Sequence, residues 1–199
     1  MPSLSLPDYL LPHLNQHSTQ PIISQRFGKG DYLYKPGDEA PFIYLIETGI
    51  VKIGSFGASG ERIIYDILQP GETFGNLHYL DEDGVEFFEF AQAATSVDLF
   101  AIDYSFFRHQ IENDPVIARW FHKVVIRRWC KAETRLLQRA GESVEDRLRQ
   151  LQQAYSSPVS DADRKQHQIL NLLSHQEIAD LIGTTRQTAS KKLKGRPLP

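Results

Sequence analysis

Between Ile22 and Ile102 the apolar residues fall into short β-branched and aromatic runs: Tyr32-Leu-Tyr34, Phe42-Ile-Tyr-Leu-Ile46, Ile50-Val-Lys-Ile53, Ile63-Ile-Tyr-Asp-Ile67, Phe87 to Ala94 and Val97 to Ile102. The separators are Lys29-Gly30-Asp31, Pro36-Gly37-Asp38, Thr48-Gly49, Ala58-Ser-Gly60, Pro70-Gly71-Glu72 and Asp83-Gly84. Glycine, proline and aspartate there are turn chemistry, so the pattern predicts many short antiparallel strands closed into a barrel or sandwich. After Asp114-Pro115 the period changes. Ala118, Phe121, Val125, Trp129, Ala132 and Leu136 recur at three- and four-residue steps, which predicts one long helix from Pro115 to Ala140 ended by Gly141. Asp103 caps a short helix before it, Tyr104 to Glu112, and Ser143-x-x-Asp146 opens another after it, Val144 to about Tyr155. Residues 4 to 17 alternate leucine with proline and polar residues and predict a short helix bent at Pro12.

The end of the chain carries the most specific signal. In Ser174-His-Gln-Glu177, serine and glutamate form a capping box that starts a helix. Ile178, Ala179, Leu181 and Ile182 give that helix an apolar stripe, with small Ala179 where a second helix must come close, and Gly183 supplies the positive φ that stops it. Thr185 then caps a helix opening Arg186-Gln187-Thr188 and continuing Ser190-Lys191. From Arg186 to Arg196 there are five basic residues and no acidic one. A helix-turn-helix with a basic second helix places long hydrogen-bonding side chains where they enter a DNA major groove. Arg186, Gln187 and Lys191 are the candidates for base edges; Thr184, Thr185, Ser190 and Lys194 are the candidates for phosphates.

Charge sharpens this division. Residues 1–114 hold 6 Lys/Arg against 17 Asp/Glu, and residues 115–199 hold 16 against 8, a split that the net −3 conceals. A basic half on an acidic half suits a polyanion-binding module on a carrier that does not bind polyanions. One cysteine, Cys130, excludes an internal disulfide framework and an iron–sulfur cluster; no stretch approaches a membrane span, and a cytoplasmic protein is expected. His78 is a lone histidine, and no metal-ligand spacing, phosphate-cradling glycine loop or catalytic triad is present, so the chain reads as a non-enzyme without a cofactor. Glu86 and Glu89 read as an exposed strand edge.

In order, an acidic β-roll, a long helix and a C-terminal helix-turn-helix resemble the Crp/Fnr family of bacterial transcription regulators along essentially the whole chain. Gly30-Asp31-Tyr-Leu-Tyr-Lys-Pro-Gly37-Asp38, Tyr44-Leu-Ile-Glu-Thr-Gly49-Ile-Val51-Lys and Pro70-Gly71-Glu72-x-Phe-Gly75 carry the resemblance. It implies an α+β fold divided as follows: an N-terminal helical extension (1–21), a cyclic-nucleotide-binding-like antiparallel jelly roll (22–113), a dimerisation helix (114–140) and a helix-turn-helix domain (141–199). It also implies a homodimer on a palindromic operator in double-stranded DNA, with Phe121, Val125, Trp129, Ala132 and Leu136 at the dimer interface.

Two departures concern the ligand. Nucleotide-binding relatives have Gly-Glu-x-x-Gly-Glu-Leu and then Arg-Ser/Thr-Ala; here the matching pocket residues are Gly71, Glu72, Gly75, Asn76 and then Phe87-Phe88-Glu89, without the arginine. No Lys or Arg occurs from Ile63 to Phe107, so the pocket as written repels a phosphate, and the roll serves either another small-molecule effector or simply the architecture of the dimer. A third departure lies at the end, where Gly195-Arg-Pro-Leu-Pro199 stands in place of the family's β-hairpin wing, and Lys192 takes a commonly apolar position with its stem over the core. Two functions therefore compete: a DNA-binding regulator with a degenerate nucleotide pocket, and a ligand-sensing or protein-interaction module whose truncated helix-turn-helix no longer engages DNA.

Overall fold

The computed structural model describes Pro12 and residues 22–38, 42–75 and 88–193. The expected helix at the start of the chain lies outside the described residues apart from Pro12. Eight strands precede the helices: β1 (Ile23–Phe27), β2 (Tyr32–Tyr34), β3 (Phe42–Thr48), β4 (Val51–Phe56), β5 (Arg62–Leu68), β6 (Thr73–Gly75), β7 (Glu89–Ala93) and β8 (Val97–Asp103). They form two antiparallel four-stranded sheets, β1-β8-β3-β6 and β2-β7-β4-β5, the roll that the turn spacing predicted. The continuous apolar run of β3 follows from burial on both faces. Tyr44 and Ile46 point into the roll with Phe74, Leu99 and Ala101, while Ile43 points outward into a cluster with Ile102, Phe107 and Ile117.

That outer cluster seats the helices. Helix α1 (Tyr104–Asn113) starts at Asp103, whose side chain accepts from Phe106 N, and α2 (Pro115–Gly141) starts at Asp114, whose carboxylate accepts from Val116 N and Ile117 N. Phe121 belongs to this cluster: it is half-buried and meets Phe107 edge-on, with ring centroids 5.5 Å apart at 86°. The sequence reading put Phe121 in a seam with a second copy; within one chain its ring packs against Phe107 of α1 in the cluster that seats the helices. Gly141 is the last residue of α2, where the sequence ended the helix. The guanidinium of Arg147 donates to the carbonyls of Gln138 (3.3 Å) and Glu142 (2.7 Å), so these carbonyls find a donor without a glycine cap.

Ser143 caps α3 (Val144–Ala154), and a small hairpin, β9 (Val159–Ser160) with β10 (Gln166–His167), leads through a 3-10 turn at Ile169–Leu172 to α4 (His175–Ile182) and α5 (Arg186–Leu193). These elements do not stand apart from the roll. Ile50, Ile64, Ile67 and Phe90 of the roll share one core with Leu148, Ile169, Ile178, Leu181, Ile182 and Leu193. Backbone bonds join them as well, Gly49 N to Ser160 O at 3.0 Å and Ala162 N to Ser96 O at 3.1 Å.

The long helix is tied down by charge. Asp66 on β5 is buried and accepts from Lys131 Nζ at 2.8 Å and Arg135 Nη2 at 2.9 Å, while Arg135 Nη1 also donates to Tyr65 O at 2.7 Å. Burial alone would push the Asp66 carboxyl up, but Arg135 and Lys131 hold it below the usual carboxylate range. A depressed folded-state pKa means the pairing is present above the unfolded value of about 4 and is lost as pH falls through the folded value. Asp66→Ala is expected to lower stability by about 2 kcal/mol at pH 7, less than a fully buried pair because both cations are partly exposed. Urea melts at pH 7 and pH 3 check this; equal deficits at the two values would exclude the ion pair as the cause.

Candidate nucleic-acid interface

The capping box at the head of α4 is formed in both directions. Ser174 Oγ accepts from Glu177 N at 3.2 Å, and Ser174 N donates to Glu177 Oε2 at 2.7 Å. Gly183 ends the helix at φ 65°, a left-handed conformation that favours glycine, and Thr184 N then reaches back to Ala179 O at 2.9 Å. Ala179 and Ala189, one on each helix, are both fully buried, and small side chains there let the two helices pack closely. Thr185 Oγ1 accepts from Thr188 N at 3.2 Å and caps α5.

With α5 anchored by Ala189 and Leu193, its other face is open. Thr185, Arg186, Gln187, Ser190 and Lys191 line a single concave surface, and among the described residues neither Arg186 nor Lys191 has an ion-pair partner. Five of the seven side chains that the sequence singles out for DNA thus come together. Thr184 is half-buried behind them, and Lys194 lies outside the described residues. The Lys192 ammonium pairs with Glu145 of α3.

Sequence reasoning missed the residues that hold this face to the rest of the molecule. Lys52 Nζ donates to Glu177 Oε1 at 2.6 Å and to Leu172 O at 3.3 Å, with both side chains of the ion pair largely buried. Burial would raise the Glu177 carboxyl, but the bond from Lys52 and that from Ser174 N hold it low. Asp180 accepts from Ile64 N at 3.1 Å, so α4 is hydrogen-bonded to β5. At the far end of α4, Arg147 Nε donates to Ile182 O at 2.7 Å and Arg139 Nη2 to Asp180 O at 3.1 Å. One signal was available: a lysine inside the apolar run Ile50-Val-Lys-Ile53 needs a buried partner.

Only part of the expected ligand pocket falls within the described residues. Glu72 folds back on its own turn, accepting from Gln69 N at 2.8 Å, Phe88 is exposed, Gly71 lies in the turn before β6 and Gly75 is the last residue of that strand, and Asn76, His78, Phe87 and Glu86 lie outside the described residues. Tyr34, Tyr44 and Phe74 stack across the roll interior, with Tyr44 and Phe74 centroids 5.2 Å apart. Glu89, read from the sequence as an exposed edge, is instead part-buried and accepts hydrogen bonds from the hydroxyls of Tyr34 and Tyr65. Burial pushes its carboxyl up, opposed by the two tyrosines and by Arg128. The absence of cations from Ile63 to Phe107 also proves a statement about the roll's sequence alone. From α2, Arg128 reaches Thr73 O at 3.1 Å, and Lys131 and Arg135 reach Asp66.

Residues 24–114 match the family model of the cyclic nucleotide-binding domain. The chain is 29% identical over 180 residues to the global nitrogen regulator of Synechococcus elongatus, covering 87% of this chain and 78% of that protein. It is 28% identical over 171 residues to a CRP-like cAMP-activated global transcriptional regulator of Mycobacterium tuberculosis, covering 84% and 74%. The fold is similar to that of FixK2 from Bradyrhizobium japonicum, with a TM-score of 0.69 at 19% identity over 88% of this chain and 84% of that one. Among the described residues no helix is long and apolar enough to cross a membrane.

The Lys52 tether sets an expected outcome. Lys52→Met keeps the apolar stem and removes both bonds, so amide hydrogen exchange in α4 and α5 is expected to accelerate at least about tenfold, the equivalent of 1.4 kcal/mol, while β3 and β8 are unchanged. Uniform acceleration through the chain would show that Lys52 supports the whole fold and not the seating of this face.

Proposed function

The chain belongs to the Crp/Fnr family of transcription regulators, and from that premise we propose that it is a homodimeric DNA-binding regulator whose roll does not take a cyclic nucleotide. The observation that carries the reading is the open face of α5. A capped and anchored helix presents Arg186, Gln187, Ser190 and Lys191 with no competing acid among the ion pairs of the described residues, which suits insertion into a major groove. Arg186 forks onto a base, most favourably guanine, with Gln187 and Lys191 beside it; Thr184, Thr185, Ser190 and Lys194 take phosphates.

A second copy is supported by the long helix. Val125, Trp129, Ala132 and Leu136 keep the heptad rhythm of the stripe and face away from the roll, with Trp129 65% and Leu136 67% exposed. Ile126 and Leu137 flank them at 60% and 73%. Apolar residues so exposed on one helix suit burial against the same helix of a partner, which would set two recognition helices on one side of DNA.

The degenerate pocket is supported by what fills the roll. Glu89, bonded to two tyrosine hydroxyls, and the stacked rings of Tyr34, Tyr44 and Phe74 occupy the roll interior, and the sequence from Ile63 to Phe107 supplies no cation to pair a cyclic phosphate. The named relative from Mycobacterium tuberculosis is cAMP-activated; this chain is expected not to be.

The test is duplex binding followed by fluorescence polarisation at several salt concentrations. Binding is expected to weaken steeply with salt, to be unchanged by cyclic AMP, and to lose roughly 1–3 kcal/mol per half-site in Arg186→Ala with relaxed preference at one base position. A uniform loss across all sequences would make Arg186 a phosphate contact. No duplex binding at low salt would favour the other reading, a sensing or protein-interaction module with a DNA-inactive helix-turn-helix.

A further inference from the structure

The C-terminal ends of two helices converge on one side chain. Arg147, half-buried on α3, donates from Nη1 to Glu142 O at 2.7 Å and Gln138 O at 3.3 Å at the end of α2, and from Nε to Ile182 O at 2.7 Å at the end of α4. The carbonyl ends of helices carry the negative pole of the macrodipole and repel when brought together, so their approach needs a cation between them. A guanidinium supplies in addition a planar fork of donors, which an ammonium lacks. Arg139, on the last turn of α2, adds a second tie. Its Nη2 donates to Asp180 O at 3.1 Å, and its side chain lies against Gly183, where a Cβ would stand 2.7 Å from Nε. Among the described residues neither arginine has an ion-pair partner, so both guanidinium groups serve main-chain carbonyls.

Both ties act at the tail of α4, and the turn into α5 follows directly. The roll holds α4 elsewhere, by Lys52 through Glu177 and by Ile64 N through Asp180. A helix fastened along one edge can rock about it, and α5 would rock with it; the ties at the tail remove that freedom. Their other end is the seam side of the molecule, since Arg139 follows Leu136 of the exposed stripe by three residues. We propose that Arg147, together with Arg139, determines the half-site spacing that this protein accepts in its operator, as a pair of positioning residues that act through α5 by fixing it relative to the seam of α2. The inference rests on the reading of α5 as a recognition helix and of the α2 stripe as the seam between copies. Changing the spacing by two base pairs turns one half-site by about 70° around the duplex. Two helices held rigidly to a common seam cannot follow that turn, and two rocking ones can.

Two measurements on the full chain test this. In the first, the parent and a double variant, Arg147→Lys with Arg139→Gln, are titrated against duplexes carrying the selected half-sites at the preferred spacing, two base pairs closer and two base pairs farther, and against a duplex with one half-site. The parent is expected to favour its preferred spacing at least about tenfold. The double variant is expected to keep its circular dichroism spectrum and its one-half-site affinity within about twofold, and to favour that spacing by less than about threefold. An unchanged spacing profile overturns the proposal, and so does an equal loss on every duplex, which is what a general weakening of the fold would give. The second measurement uses no DNA. In a Cys130→Ser chain, spin labels at Arg127→Cys and Gln187→Cys, diluted into excess unlabelled Cys130→Ser chain, are expected to give one narrow distance by pulsed electron paramagnetic resonance, and a broadened one in the double variant. An equally narrow distance in the double variant overturns the proposal whatever the duplexes show. Failure of the DNA reading looks different: the parent binds no duplex although the double variant broadens the distance, a result that overturns the spacing role and keeps only the tie between the helices.

Discussion

Strand β5 is the shared beam of this molecule, and the constraint on it is that five consecutive residues serve four different neighbours. Ile64 gives its backbone N–H to Asp180 of the helix-turn-helix and its side chain to the core beneath it. Tyr65 gives its hydroxyl to Glu89 inside the roll and its carbonyl to Arg135 of the long helix. Asp66 binds Lys131 and Arg135, Ile67 offers its carbonyl to Tyr155 of α3, and Leu68 returns to the roll core. A strand so connected cannot shift by one residue without breaking contacts in every part of the protein. The orientation of the recognition face is thereby coupled to the state of the roll interior through one segment of chain.

The opposite charges of the two halves have their structural meaning at that strand. The acidic half contributes Asp66, Glu72 and Glu89; the basic half contributes Arg128, Lys131 and Arg135, all on one side of α2. Lys52 and Glu177 reverse the direction, with the cation on the roll and the acid on the helix-turn-helix. Cations that find acids hold the domains together. Arg186 and Lys191 on α5, without an ion pair among the described residues, are free to meet a polyanion.

The helix-turn-helix was legible because all of its determinants lie within twenty residues: capping box, small crossing residue, left-handed glycine and second cap are local choices that tertiary structure confirms and does not create. The roll was legible from its turns for the same reason. Glu89 was not, since a carboxylate stays in that position only because Tyr34 and Tyr65, 55 and 24 residues away, present hydroxyls to it. Phe121 and Val125 could not be separated by periodicity, as both lie on the apolar side of the helix, and only the position of Phe107 on α1 distinguishes them. Cations absent from the roll sequence but delivered by α2 were hidden from any reading that scanned one segment at a time.

The most direct measurement is selection of bound fragments from random duplex DNA by the full chain, with the enriched sequences aligned. If α5 reads the major groove and the exposed stripe of α2 pairs two copies, the alignment yields an inverted repeat whose half-site centres lie about 10 base pairs, one helical turn, or a multiple of it apart. A single unrepeated site would contradict the paired helices, and no enrichment over input would contradict the reading of α5 as a recognition helix.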